Sequence, residues 1–465
     1  MNSLSRREFV STVGAAAGTT LLSGCLSTQQ SKTIATADHR RPRPNVLLIL
    51  TDQHRFDALG CAGNADVRTP NIDRLAGEGV RYENAFCPYP ICTPSRYSIF
   101  SGLYVHQHRG TGNDSTLNPS IPTWPKALRA AGYRTAAVGK MHMLPTYLDI
   151  GFDEMVLSEQ AGDGRWDDDY HRYLMEHNLA DITDMEDQLR EYNDCMRPEY
   201  VRSKGCLPCN IDEPHDHTTW IGDHACRKIA AWSHDAPNLL CVSFIRPHHP
   251  MNPPQPWADM YDPARIRLMP GYTESPLERN SAYHRGWRMQ AAGGLSEADI
   301  RLATARYYGS ISQIDAQIGR LIAALQARGL YENTLIAFTA DHGEYMGFQH
   351  LIGKLNYMYD PLVKVPLILR WPGANLPGQV RSRQVSLLDL APTICAAAGL
   401  AMPSPMPGMD LHQPDAGHDR IFCQFHEDTV MVRTADCKLV LTRKSGCESL
   451  LFDLQRDPHE SRNRI

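Results

Sequence analysis

From residue 45 onward, short unbroken apolar runs recur along the chain, bounded by polar residues and separated by amphipathic stretches. Four of them are Asn45 to Thr51, Arg134 to Val138, Asn238 to Phe244 and Thr334 to Thr339. Runs this short, with no polar alternation, are the pattern of strands buried on both faces of a parallel sheet. Between them lie helical stretches such as Asn71 to Gly79 and Ile300 to Arg328. The second is apolar at three-and-four spacing through Ile311, Ile314, Ile318 and Ile322, the period of one helix face. Strands alternating with helices predict a doubly wound α/β/α sandwich with a mainly parallel central sheet.

Each run leads into titratable residues. They are Asp52-Gln53-His54-Arg55, Gly139-Lys140-Met141-His142, Arg246-Pro247-His248-His249-Pro250 and Asp341-His342-Gly343. Open parallel sheets bind ligands outside the carboxyl ends of their strands, where loops distant in sequence converge. One such end alone is more often a solvated turn. Four together, with carboxylates on two and histidines on all four, mark a candidate site. Ahead of the second run, Cys92-Thr93-Pro94-Ser95-Arg96 reads as a helix start, with Thr93 as cap, Pro94 in the first turn and Gly102 as a stop. Cys92 then lies at the positive end of a helix, where an anion is stabilised. A buried free cysteine is the open alternative at this stage.

Composition narrows the class. With 465 residues, 42% hydrophobic and 21% charged, the chain is a globular protein, and disorder as its main state is excluded. Lys and Arg number 47 against 52 Asp and Glu, without a long run of one sign, which argues against a nucleic-acid binder. The 13 cysteines show no repeated pairing. Cys206-Leu207-Pro208-Cys209 has no second pair at zinc-finger spacing, so a disulfide or free thiols outrank zinc.

The N-terminus predicts export. Ser5-Arg6-Arg7-Glu8-Phe9-Val10 is a twin-arginine pattern, followed by a small and apolar run from Val10 to Leu22. That run is shorter than the roughly 20 residues needed to span a bilayer and reads as a signal sequence. Leu22-Ser23-Gly24-Cys25 resembles the cleavage and lipidation box of bacterial lipoproteins, with Cys25 as the acylated first residue of the mature chain. A plain cleaved signal beside a chance cysteine is the alternative. The polar stretch from Ser27 to Arg43 reads as a tether. The expectation is a periplasmic or cell-surface lipoprotein that touches the membrane only through its lipid.

The motifs together resemble the type I, formylglycine-dependent sulfatase family of the alkaline phosphatase superfamily. Cys92 through Arg96 fits the family's C-x-P-S-R motif, and the likeness continues through nearly the whole mature chain. It takes in Thr51-Asp52-Gln53, Leu59 to Asn64, Thr69 to Ala76, Gly139 to His142, Pro247 to Pro250, Asp341-His342-Gly343, Lys354, Val365 to Gly373, and Leu451 to Leu454 with Asp457 to Glu460. The resemblance implies an alkaline-phosphatase-like catalytic domain over residues 44–413, after a signal peptide (1–25) and a linker (26–43). It also implies a C-terminal subdomain over 414–465, an antiparallel sheet with one helix. The helix-like stretch from Leu387 to Ala398 belongs by the same pattern to the large domain.

The same resemblance implies a chemistry. A maturation enzyme would oxidise Cys92 to formylglycine. Asp52, Gln53, residue 92, Asp341 and His342 would bind a divalent cation; oxygen-rich ligation favours a hard ion, Ca²⁺ first or Mg²⁺, and Gln53 and His342 in place of the commoner Asp and Asn admit Mn²⁺ or another transition metal. One hydroxyl of the hydrated aldehyde would attack sulfur, its proton passing toward Asp341. His142 would deprotonate the second hydroxyl to expel sulfate. Lys140, Lys354 and Arg96 would offset negative charge, and His248 or Lys354 would protonate the leaving oxygen. His249 is left out, and His54 and Arg55 carry no implied role. Residues 158–210 match no motif, and in this family such inserts shape the substrate pocket. The expected substrate is a sulfated polysaccharide or oligosaccharide. A phosphonate monoester hydrolase or phosphodiesterase of the same superfamily is the first alternative, and a glycan-binding lipoprotein with an unmatured Cys92 the second.

Overall fold

The computed structural model describes residues 43–465 except 161–162, 190–191, 193–195, 204, 276–294, 355–356, 374–375, 402–405 and 446. The twin-arginine pattern, Cys25 and the tether as far as residue 42 lie outside the described residues. No described helix is long and apolar enough to cross a membrane.

Nine strands build the main sheet: β1 (Asn45–Thr51), β2 (Val80–Phe86), β3 (Arg134–Gly139), β4 (Glu154–Leu157), β5 (Asn238–Phe244), β6 (Thr334–Ala340), β7 (Lys364–Val365), β8 (Leu367–Arg370) and β9 (Gln379–Ser386). Their order is β4-β3-β5-β1-β6-β8-β2-β7, with β9 beside β2. The four runs picked out by hydrophobicity are β3, β5, β1 and β6, which are consecutive neighbours and mutually parallel. The sheet is mixed beyond them, because β8 runs antiparallel to both β6 and β2.

Side chains of β1 alternate between two cores, as strand geometry requires. Val46, Leu48 and Leu50 pack into one, with the helices Cys92–Ser101, Trp124–Ala130 and Leu390–Ala397. Leu47 and Ile49 pack into the other, with Pro70–Glu78, His217–Ala230 and Glu297–Ala327. That last helix buries all four of the isoleucines at three-and-four spacing. It starts before Ile300 because Ser296 and Asp299 form a capping box. The result is the α/β/α sandwich.

A second sheet of four antiparallel strands, β10 (Ile421–Phe425), β11 (Thr429–Arg433), β12 (Cys437–Thr442) and β13 (Leu450–Asp453), packs beside the first. The Gln424 N–H donates to the Pro88 carbonyl at 3.0 Å. No helix occurs among the described residues from 414 onward, so the helix expected there is absent from them. The turns after β10 and β11 are too short to hold one.

Candidate active site

In-register pairing brings the strand ends level. Thr51 pairs with both Phe244 and Ala340, and Gly139 with Ser243, so the residues that follow emerge along one edge. The turn after β3 depends on glycine. Gly139 has φ 98°, and a Cβ there would lie 2.0 Å from the Ser243 carbonyl oxygen. The chain then turns so that Lys140 Nζ reaches Asp52 Oδ2 at 2.8 Å.

Cys92 begins its helix, but Thr93 is not the cap. Ile91 holds the cap position with no side-chain bond. Thr93 lies inside the first turn, with its hydroxyl donating to the His142 carbonyl at 3.0 Å and its N–H to Asn113 Oδ1 at 3.1 Å. The Ile91 side chain cannot accept from the first N–H groups of the helix, and Asn113 accepts that of Thr93 instead. Gly102 stops the helix as expected, at φ 68°.

Around the Cys92 sulfur, Lys354 Nζ lies at 3.0 Å, His342 Nε2 at 3.3 Å and Asp52 Oδ1 at 3.5 Å. Burial alone would raise the thiol pKa, but Lys354, Lys140 and His342, together with a hydrogen bond from His142, hold it well below the ordinary value. Arg96 uses its whole fork on this site. Nε donates to Asp341 Oδ2 (2.9 Å), Nη2 to Asp52 Oδ2 (3.1 Å), and Nη1 to the Lys140 carbonyl (2.6 Å) and Ser243 Oγ (2.8 Å). Every one of these groups is buried.

Asp52, Cys92, Asp341 and His342 each offer a ligand atom within 4.8 Å of the others. His342 Nδ1 donates to the Gly343 carbonyl at 2.9 Å, which turns Nε2 toward the cluster. Burial and the Asp52 charge push Asp341 up to about 6. Against its own burial, His342 is pushed up to about 9, chiefly by Asp341. This crowding of negative charge is what a cation relieves. Gln53 supplies an independent sign of a cation. Its side-chain NH₂ donates to Glu344 Oε2, while its buried carbonyl oxygen has no hydrogen-bond partner. An acceptor buried without a donor is costly, and a metal ion satisfies it. The donor set therefore fits a divalent cation.

His142 stands beside Cys92, its pKa lowered by burial and by Lys140, and its Nδ1 has no hydrogen-bond partner. Both effects favour the neutral imidazole, the form a base needs. His248 Nε2 lies 2.8 Å from Lys354 Nζ. Every site residue named from sequence thus converges on one edge of the sheet. His54 and Arg55 do not join them. His54 packs edge-on against Tyr307 and Phe338, and Arg55 pairs with Asp57.

Sequence reading missed the residues that hold this set in place. Glu159 accepts the N–H groups of Met141 and His142, both at 2.9 Å. Gln160 reaches Lys140 Nζ at 3.5 Å. Asp187 pairs with His249 at 2.7 Å. Glu159, Gln160 and Asp187 lie in the segment 158–210. Cys206 and Cys209 are not bonded to each other, and neither is part of a described metal cluster.

A buried cysteine among positive charges, a candidate cation site and a ring of fixed positive charge describe a hydrolase of anionic esters. Family comparison makes the class specific. The "Sulfatase" family profile matches residues 44–400, and the "N-sulphoglucosamine sulphohydrolase, C-terminal" profile matches 349–465. An arylsulfatase of Clostridium perfringens (strain 13 / Type A) is 30% identical over 453 residues, covering 91% of this chain and 90% of that protein. An N-acetylglucosamine-6-O-sulfatase of Bacteroides thetaiotaomicron is 26% identical, covering 95% and 85%. Among solved structures, the phosphonate monoester hydrolase of Agrobacterium radiobacter superposes with a TM-score of 0.74 at 25% identity, covering 90% of this chain and 91% of that one. The chain belongs to the sulfatase family of the alkaline phosphatase superfamily, and it is a sulfuric ester hydrolase.

Proposed function

We propose that the protein is an exported, lipid-anchored sulfatase that removes sulfate from sulfated polysaccharides or oligosaccharides, with Cys92 matured to formylglycine by a dedicated enzyme. The observation that carries this reading is the Cys92 sulfur among Lys354, His342 and Asp52. In the matured protein that atom stands for an oxygen of the hydrated aldehyde. The glycan substrate draws support from the name of the Bacteroides relative. Anchoring through Cys25 places the enzyme where external polymers arrive.

Asp52, Gln53, residue 92, Asp341 and His342 would hold the cation. Four of the five offer oxygen once residue 92 is matured, which favours Ca²⁺; nitrogen from His342 makes Mn²⁺ the second choice and Mg²⁺ the third. When bound, the ion supplies positive charge that polarises the nucleophile and the sulfuryl oxygens. The rest is done by side chains. Lys140 and Lys354 offset the charge of the transferring group, and Arg96 fixes the two aspartates. Asp341 takes the proton of the attacking hydroxyl. Neutral His142 takes the proton of the second hydroxyl as sulfate leaves. Lys354, in contact with His248, delivers a proton to the departing sugar oxygen.

The test is a peptide mass across Cys92 from protein made in its native host or with a maturation enzyme, followed by a panel of sulfated glycans. Conversion of the thiol to an aldehyde and release of sulfate are expected. An unmodified cysteine would defeat the mechanism, and a matured enzyme inert on every glycan would defeat the substrate. The second reading, a phosphonate monoester hydrolase, draws on Gln53 and His342 in the cation site and on the Agrobacterium fold. Comparing turnover of an aryl sulfate with that of an aryl phosphonate ester separates the two.

A further inference from the structure

Glu344 follows the Asp341-His342-Gly343 motif and takes no part in the chemistry above, yet its carboxylate is fully buried beside the site. Three donors converge on it. Oε1 accepts the N–H of Met346 at 2.9 Å and the N–H of Gly353, and Oε2 accepts the side-chain NH₂ of Gln53. Its own N–H donates to the Pro361 carbonyl at 3.0 Å. Just before it, a Cβ at Gly343 would lie 2.0 Å from that same oxygen, so the backbone is pinned where the carboxylate must stand.

A carboxamide has two ends of equal size and opposite hydrogen-bonding sense. Nothing in the shape of Gln53 tells a cation which end it meets. Glu344 Oε1 is taken by two backbone N–H groups, and Oε2 accepts from the NH₂ end of Gln53. The carbonyl end is thereby turned the other way, and this is the buried oxygen that has no hydrogen-bond partner. Gln53 holds φ 62°, so its backbone is committed to this direction as well.

We propose that Glu344 is a positioning residue that sets the polarity of the Gln53 amide, presenting its carbonyl oxygen to the cation while fastening the Gly353 backbone beside Lys354. The inference rests on the cation site of the proposed function. It adds a residue that touches neither the ion nor the substrate.

Replacing Glu344 with glutamine tests polarity with almost no change of shape. In Glu344→Gln the carbonyl of residue 344 stays with the two backbone N–H groups, and its NH₂ faces Gln53. Gln53 must then offer its own oxygen to residue 344 and its NH₂ to the cation. Loss of a partner behind a metal ligand costs about 10–100-fold in affinity. The experiment is calorimetric titration of chelator-stripped full chain with CaCl₂ and, separately, MnCl₂. Glu344→Gln is expected to bind about 10–100-fold more weakly. In a Gln53→Ala background the same change is expected to have no further effect on affinity, which a merely structural role would not predict. The swap Gln53→Glu with Glu344→Gln restores one donor facing one acceptor and is expected to regain affinity over Glu344→Gln.

Wild-type affinity in Glu344→Gln, or an equal further loss in the Gln53→Ala background, overturns the proposal. Should Glu344→Gln fail to fold, the swap is compared with Gln53→Glu, in which two carboxylates face each other. A swap that binds no tighter than Gln53→Glu overturns it too. A wild-type chain that binds neither ion would instead be a failure of the proposed function.

Discussion

Lys354 Nζ lies 2.8 Å from His248 Nε2, and the imidazole is the acceptor in that contact. His248 Nδ1 is 2.6 Å from the His249 carbonyl and so carries the ring's hydrogen. Burial and the Lys354 charge hold the His248 pKa well below its ordinary value. In the proposed mechanism the proton for the leaving oxygen would come from Lys354, with His248 aiming it.

Leaving-group dependence should reveal this division. Lys354→Ala is expected to lower kcat on a sulfated sugar by about 10²–10⁴-fold, the span of general acid catalysis. An aryl sulfate, whose phenolate departs without much help, should suffer far less. His248→Ala should show the same ordering with a smaller loss. Steady-state kinetics on both substrates check it, and equal losses on the two would remove Lys354 from the acid role.

Removal of the cation should cost stability as well as activity. Asp52 and Asp341 share Arg96, and His342 lies 3.7 and 3.8 Å from one oxygen of each. A ligand that binds only the folded chain adds about 2.7 kcal/mol at 100 times its Kd. Chelated protein should accordingly melt several degrees below protein in excess CaCl₂, with sulfate release restored on adding the ion back. Coincident melting curves would argue against the cation site.

Glu159 predicts a pH dependence of stability. Burial pushes its carboxyl up to about 7, against N–H donation from His142 and the charge of Lys140. Between its ordinary value of 4.5 and about 7, the folded chain holds a proton that the unfolded chain releases. The contribution of this group is greatest below pH 4.5 and is lost as pH rises through 7. A shift of this size corresponds to about 3 kcal/mol. In Glu159→Gln, which can still accept both N–H groups, the stability gain over wild type should grow from pH 5 to pH 8 by an amount of that order. Urea unfolding at the two pH values measures it, and parallel pH profiles would show that Glu159 does not titrate there.

The chemistry was more legible in the sequence than its support. The buried parallel strands are continuous apolar runs, and their ends carry Asp52, Lys140, His142, His248, Asp341 and His342, so four local patterns point to one edge. Strands such as β2 and β9 escaped notice because polar residues punctuate them at the sheet margin, where the burial of β2 alternates and much of β9 is exposed. Thr93 looked like a cap, yet the tertiary partner Asn113 outweighs local propensity. Glu159 and Glu344 were invisible for another reason. Each satisfies backbone N–H groups that are near in space, and a lone glutamate in a loop carries no spacing that announces this. Only Glu344, adjoining the Asp341 motif, stood where attention was already drawn.

The closing motif, Asp457-Pro458-His459-Glu460, ties the second sheet to the loop that carries Lys354. Lys438 Nζ on β12 is buried between Asp360 Oδ1 at 2.7 Å and Glu460 Oε1 at 2.6 Å. Glu460 Oε2 accepts the Asp360 N–H at 2.7 Å, and Gln349 donates to the carbonyls of His459 and Glu460 at 2.8 and 2.9 Å. Replacing Lys438 with methionine keeps the aliphatic stem and deletes the charge, leaving two carboxylates facing each other out of water. Breaking a buried pair in this way costs roughly 3–5 kcal/mol. Asp360 keeps Arg433 at 3.0 Å. Lys438→Met is expected to unfold at markedly lower urea, and adding Glu460→Gln should recover part of the loss by removing one of the two facing charges. Because the network also holds Gln349 and Asp360, on either side of Lys354 in the chain, kcat of Lys438→Met should fall under conditions where the variant is still folded. A Lys438→Met protein as stable as wild type would mean that packing of the two sheets, rather than this ion network, joins the closing motif to the catalytic edge.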